Sequence, residues 1–157
     1  MKTDFQFVAI LSEEFTHLFS LSDGELASYG ARRMIVDKNP GYPCRVSLID
    51  AAIGETVILT TYRHHNTESP YQASGPIFVR EAARTARTEV NKIPLMFEHR
   101  LLSVRAYNKN AMMCGAKVVE GHDLEQAIRD FFTDENIAYI HIHNAGPGCF
   151  NCLVNRA

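Results

Sequence analysis

Two pairs of metal-binding residue types lie close together near the end of the chain. Residues 137–152 contain His141 and His143, followed by Cys149 and Cys152. Two histidines at i and i+2 of a strand have Cα atoms about 6.6 Å apart, so both imidazoles can approach one metal ion. A turn rich in glycine separates them from the two thiols of a C-x-x-C pair. The spacing predicts a tetrahedral zinc site formed by the four side chains.

The same residues allow two other interpretations. A C-x-x-C pair can cycle between dithiol and disulfide, although no thioredoxin-like βαβ pattern surrounds Cys149 and Cys152. Histidines can also lie on a half-exposed strand face, and free cysteines are among the residues most often buried. The sequence therefore leaves a metal site, a redox pair and a purely structural role open.

Basic and aromatic residues indicate a second kind of site. Residues 101–107 alternate so that Ser103, Arg105 and Tyr107 share one face of a strand. Guanidinium groups bind carboxylate and phosphate strongly. Arg80, Arg105 and Tyr107 together predict a non-catalytic module that binds a small anion or a peptide.

The strand before the glycine-rich turn decides where the histidines point. Ile140 and Ile142 share one face of this strand, and His141 and His143 share the other. The apolar face is the one expected to pack in a core, so the histidines are expected on a polar sheet face. Whether the site catalyses a reaction stays open.

The elements that would position these residues form an α+β pattern. Strands are predicted near residues 5–11, 32–37, 44–49, 55–63, 76–80, 100–107, 112–120 and 137–143, and helices near 12–19, 22–30 and 123–132. Ser22 and Glu25 have the spacing of a capping box. Residues 44–49 and 55–63 are expected to pair as a hairpin, and residues 64–75 to form a loop. We expect one domain over residues 1–157, with a mixed or mostly antiparallel sheet and a few short helices on one face.

Composition excludes several classes of function. The 157 residues are 46% hydrophobic and 22% charged, which is typical of a soluble globular chain. A formal net charge of −2 is a poor match for a nucleic-acid binder. No apolar stretch has the length of a membrane span or the pattern of a signal peptide. We therefore predict a cytoplasmic protein that binds a small molecule, with neither nucleic acid nor membrane as a partner.

Several segments together resemble a known family. They are residues 39–48 (NPGYPCRVSL), 73–80 (ASGPIFVR), 100–107 (RLLSVRAY), 139–145 (YIHIHNA) and 148–152 (GCFNC). The chain resembles the bacterial family called domain of unknown function 1203, over nearly its whole length. The resemblance implies a bacterial, cytoplasmic, single-domain protein, and it assigns no catalytic residue.

Overall fold

The computed structural model describes residues 2–157. Its eight strands are β1 (Phe5–Val8), β2 (Arg32–Ile35), β3 (Thr56–His65), β4 (Ala73–Arg80), β5 (Leu101–Asn108), β6 (Met113–Glu120), β7 (Ile137–Asn144) and β8 (Phe150–Arg156). The α-helices are α1 (Asp23–Ser28) and α2 (Leu124–Phe132), and short 3-10 turns lie at Ser12–Glu14, Thr16–Ser20, Leu95–Phe97 and Gly121–Asp123. In this part of the chain, no helix has the length and apolar character needed to cross a bilayer.

The strands form two antiparallel sheets. One has five strands in the order β1-β8-β7-β5-β6, and the other has three in the order β2-β3-β4. The α+β class and the antiparallel pairing are confirmed. The capping box at the start of α1 is also present, because the Ser22 side chain accepts from the Glu25 amide and the Glu25 side chain accepts from the Ser22 amide.

The predicted hairpin between residues 44–49 and 55–63 is wrong. The Leu48 amide donates to the Cys44 carbonyl, and the Cys44 amide donates to the Ile49 carbonyl, so this segment closes a turn instead of extending as a strand. Leu48 has φ 55°, outside the range of a strand. Strand β3 therefore pairs with β2 and β4, which produces the second sheet.

Helix α2 covers one face of the five-stranded sheet. Ile140 and Ile142 of β7 are fully buried there, in one cluster with Leu124, Ile128 and Phe132 of the helix. The apolar residues of α2 recur at helical spacing, which gives it the single buried stripe of an amphipathic helix. The predicted core orientation of the two isoleucines is confirmed.

The three-stranded sheet packs near the opposite face of β7. Ile58 of β3 and the β4 residues Ile77 and Val79 form a second core with Phe150 of β8. The predicted single sheet with helices on one face thus has a second sheet on its other side. This arrangement encloses the polar face of β7 between two layers.

A bulge in β3 directs the side chains of the consecutive residues His64 and His65 into the same space between the two sheets. Between Tyr62 and His65 the pairing with β4 shifts, so that β3 carries one more residue than its partner. A bulge of this kind bends the strand and redirects its side chains. The predicted loop at residues 64–75 is therefore shorter, because β3 continues through His65 and β4 begins at Ala73.

Candidate functional site

Four histidines meet between the two sheets and are called the histidine cluster here: His64 and His65 from β3, and His141 and His143 from β7. The ring centroids lie 5.1 Å apart for His64 and His143, and 4.9 Å apart for His65 and His141. His64 and His141 are separated by 6.2 Å, as are His141 and His143. All four imidazoles are therefore neighbours in one small volume.

Aromatic rings form the walls of the histidine cluster. The His64 ring stacks on Phe150, with centroids 5.1 Å apart and an interplanar angle of 8°. Tyr107 stacks on Tyr139 at 5.4 Å, and the His65 ring lies 4.4 Å from Tyr107. The walls are thus largely apolar ring surface, with the tyrosine hydroxyls as their polar atoms.

His65 has both ring nitrogens satisfied. Its Nδ1 lies 2.8 Å from the carbonyl oxygen of Tyr71, and a carbonyl can only accept, so Nδ1 carries the proton. Its Nε2 therefore accepts from the Tyr139 hydroxyl at 2.5 Å. These bonds orient both rings and leave His65 with a positioning role in the cluster.

The other three histidines each present a buried ring nitrogen without a hydrogen-bond partner among residues 2–157. These atoms are Nδ1 of His64, Nδ1 of His141 and Nε2 of His143. His143 donates through Nδ1 to the carbonyl oxygen of Gly148 at 2.9 Å, which fixes the tautomer and leaves an acceptor lone pair on Nε2. Buried polar atoms are nearly always paired, so these three atoms are the ones that bound water or a ligand would pair with.

Burial keeps these three rings neutral. Desolvation lowers the pKa of His64 to about 4, that of His141 to about 2 and that of His143 to about 3. The positive charge of Arg105 adds to the lowering in each case. At neutral pH the cluster therefore contains imidazoles and no imidazolium among these three.

Arg105 supplies a free cation beside the cluster. It lies directly across from His141 in the β5–β7 pair, and its Nε donates to the Ser103 hydroxyl at 3.2 Å. Within the described residues it forms no ion pair with a carboxylate. Its neighbours on the edge strand β6, Ala116 and Val118, are exposed, so this part of the sheet face is open to solvent.

Arg80 does not join Arg105. Its guanidinium binds Glu55, which directly precedes β3, with an N–O distance of 2.6 Å, and also donates to the Ser47 hydroxyl. The charge of Arg80 is thus already neutralised. Of the predicted anion set, the structure brings Tyr107 and Arg105 to the cluster and leaves Arg80 elsewhere.

The predicted set of four metal ligands is divided between the two faces of the sheet. Cys152 pairs with Ile142, and paired residues share a face, so its side chain lies in the core beneath α2. Its thiol donates to the Val8 carbonyl at 3.3 Å. Cys149 instead accepts from Arg45. Among residues 2–157, no three His, Cys, Asp or Glu side chains are arranged to hold a metal ion, and all four cysteines are free.

The sequence did not place His64 and His65 in the cluster. The sequence predicts a loop for both, because residues 64–75 are rich in polar and turn-forming residues. The alternation of Ile58, Thr60 and Tyr62 continues to His64, and that pattern was the signal for a longer strand. The bulge that also brings in His65 has no such local signal.

One comparison with known proteins gave a match. The model of a family described as a protein of unknown function, DUF1203, matches residues 41–156. This range includes all four members of the histidine cluster and Arg105. No curated protein and no solved structure matches the chain.

Proposed function

The chain belongs to the DUF1203 family, whose function is unknown, and from its site we propose that it binds a small anionic molecule, a carboxylate or a phosphate ester. The observation that carries this proposal is the juxtaposition of Arg105, which has no acidic partner among residues 2–157, with three unpartnered imidazole nitrogens. The Arg105 guanidinium donates to such an anion, and Nδ1 of His64 and of His141 donates as well in the tautomer that carries the ring proton there, whereas Nε2 of His143 only accepts, as from a hydroxyl of the ligand.

The dimensions of the site favour a small ligand. A cavity of about 170 Å³ reaches the cluster at His64 and His141, where Tyr62, Phe150 and Leu153 line it. Pockets for drug-sized molecules are commonly about 300–1,000 Å³, so this cavity holds only a smaller apolar group. Strand β8 carries Phe150 on one side of His141, and β5 carries Arg105 on the other. Glu14 also lines this cavity and Arg105 does not, so a ligand held by both needs a short apolar part in the cavity and an anionic part that extends across β7 to Arg105 on β5.

Removal of the free guanidinium is expected to weaken binding. Arg105→Gln should raise the Kd for an anion about 10- to 100-fold, because a hydrogen bond to a charged group contributes about 1.5–3 kcal/mol. Isothermal titration calorimetry with inorganic phosphate, malonate and benzoate identifies which anion binds and measures the change. Arg80→Gln is the matched control, since Arg80 is paired with Glu55, and it should leave the Kd unchanged. Equal losses in both variants, or no binding of any of the three anions, would contradict the proposal.

Binding is expected to take up a proton. An anion beside the cluster opposes the effects that depress the His64 pKa, of which burial is the largest and the positive charge of Arg105 is another. The pKa therefore rises in the complex, and affinity increases as the pH falls from 7 towards 6. Titrations in two buffers with different ionisation enthalpies measure the proton uptake. A binding enthalpy identical in both buffers at pH 6 would exclude the linkage.

Zinc is the other occupant to be tested. An imidazole nitrogen that carries a lone pair is a zinc ligand, although no three His, Cys, Asp or Glu side chains among residues 2–157 are arranged to hold a metal ion. Metal analysis of protein purified without chelators, followed by titration with zinc, separates the two occupants. If the protein binds stoichiometric zinc that an anion does not displace, zinc is the ligand of the cluster and the anion proposal is wrong. If the protein takes up no zinc and binds one of the anions, the anion proposal is supported.

A further inference from the structure

A second group of interacting side chains lies at the start of β8, where a buried arginine contacts a cysteine. Arg45 is 1% exposed, and its guanidinium donates to the carbonyl oxygens of Phe150 at 2.8 Å and Pro43 at 2.6 Å. Its remaining NH2 group donates to the Cys149 sulfur at 3.2 Å. No carboxylate in the described chain forms an ion pair with Arg45.

A buried guanidinium needs a negative partner. An isolated charge in a protein interior is costly, and buried charges are therefore paired or coordinated. The two carbonyls that Arg45 contacts are neutral, whereas a cysteine sulfur can carry a full negative charge. Among the three acceptors of Arg45, Cys149 is thus the one able to act as its counterion.

A second donor converges on the same sulfur. The side-chain amide of Asn144 donates to Cys149 at 3.2 Å. The orientation of that amide is set by Asn151, which donates to the Asn144 side-chain oxygen at 2.8 Å. Hydrogen bonds made to the charged form of an acid favour that form, so both donors stabilise a thiolate.

We propose that the Cys149 sulfur, which accepts from the buried guanidinium of Arg45 and from the Asn144 amide, reacts with hydroperoxides and is a site of reversible oxidation. Partial exposure gives small molecules access to Cys149, whereas Cys44 and Cys152 are buried. This inference is separate from anion binding at the histidine cluster. It rests on different side chains and has a different readout.

The reaction is a two-electron oxidation of sulfur. The Cys149 sulfur attacks one oxygen of hydrogen peroxide, an S–O bond forms as the O–O bond breaks, and hydroxide leaves and takes a proton to become water. The product is a sulfenic acid. A low-molecular-weight thiol then reduces it stepwise: the first thiol forms a mixed disulfide with Cys149 and water, and a second thiol attacks that disulfide, releases the Cys149 thiol and leaves as the disulfide of the two small thiols.

Cys152 cannot serve as the internal reducing thiol in the described fold. Its side chain lies in the core beneath α2, on the sheet face opposite the histidine cluster. Burial raises the pKa of the Cys152 thiol to about 12, so it stays protonated at neutral pH. Oxidised Cys149 should accordingly form mixed disulfides with added thiol and no Cys149–Cys152 disulfide.

Trapping of the sulfenic acid tests the proposal. Reduced full-length protein is treated with limiting hydrogen peroxide and dimedone at pH 6.5, and each cysteine peptide is quantified by mass spectrometry. Cys149 should be labelled at least about tenfold faster than Cys114, which is the more exposed cysteine and has no arginine donor. Labelling of Cys114 at an equal or higher rate would overturn the proposal.

Two variants identify the cause of the reactivity. Arg45→Gln removes the counterion and should slow labelling of Cys149 about tenfold or more, with Cys114 as the internal reference. Asn144→Ala removes the second donor at a partly exposed position and should slow it less, which keeps the test informative if Arg45→Gln does not fold. Circular dichroism confirms that each variant is folded. Unchanged labelling of Cys149 in folded variants would show that these donors do not activate it.

Discussion

Acidification from pH 7 to pH 5 is expected to lower the free energy of unfolding by about 4 kcal/mol, because His141 and His143 must stay neutral in the folded chain. Both side chains are buried, with 3% and 2% of their surface exposed. Their pKa values are lowered to about 2 and about 3, against about 6.5 in an unfolded chain. At pH 5 the unfolded chain has bound both protons and the folded chain has bound neither.

The direction of the pH effect and the pH range in which it occurs follow from these pKa values. The stabilisation is fully present above about pH 6.5 and is lost as the pH falls towards the folded-state pKa values. At pH 5 the contribution of each histidine to the free energy of unfolding is about 2 kcal/mol smaller than at pH 7. The reason is that pH 5 lies about 1.5 units below the unfolded-state pKa, and each unit corresponds to 1.36 kcal/mol. The result does not depend on the folded-state values in detail, because both lie well below pH 5. His64 acts in the same direction with a smaller effect, since it is partly exposed.

Urea unfolding followed by circular dichroism at pH 7 and pH 5 measures the loss. The double variant His141→Gln with His143→Gln should show a much weaker pH dependence, because glutamine does not titrate. His122→Gln is the matched control, since the His122 side chain is 74% exposed, and it should keep the full pH dependence. Equal free energies of unfolding at both pH values in the wild-type protein would contradict the neutral, buried cluster.

Replacement of Ile142 by alanine is expected to lower the free energy of unfolding by about 2–5 kcal/mol. Ile142 is completely buried against the core that β7 shares with α2. The substitution removes its packing contacts and leaves a cavity that the surrounding sheet can only partly fill. Urea unfolding at pH 7 measures the change.

The matched control makes the same chemical change at an exposed position. Ile35 lies on the edge strand β2 with 61% of its surface exposed, so Ile35→Ala should cost less than about 1 kcal/mol. A cost for Ile142→Ala no larger than that for Ile35→Ala would mean that β7 has the opposite face in the core. In that case the histidines would not lie between the sheets.

The features that the sequence alone determined are those with a local period. The alternation of β7 correctly predicted that Ile140 and Ile142 are in the core and His141 is on the other face. The apolar stripe of α2 and the capping box of α1 were also predicted correctly from the sequence. In each case the signal and the structure involve neighbours within a few positions along the chain, so the residues themselves carry the information.

The composition of the site was decided only by the tertiary structure. Arg80 and Arg105 both lie on predicted strands, yet Glu55, which directly precedes β3, pairs with Arg80, and no carboxylate among residues 2–157 pairs with Arg105. The bulge in β3 and the pairing of Cys152 with Ile142 likewise depend on the register between two strands, which the sequence of neither strand specifies by itself. A shift of one residue in such a pairing moves a side chain to the opposite face. Contacts of this kind are selected by the packing of the whole fold, and for that reason no local pattern contains them.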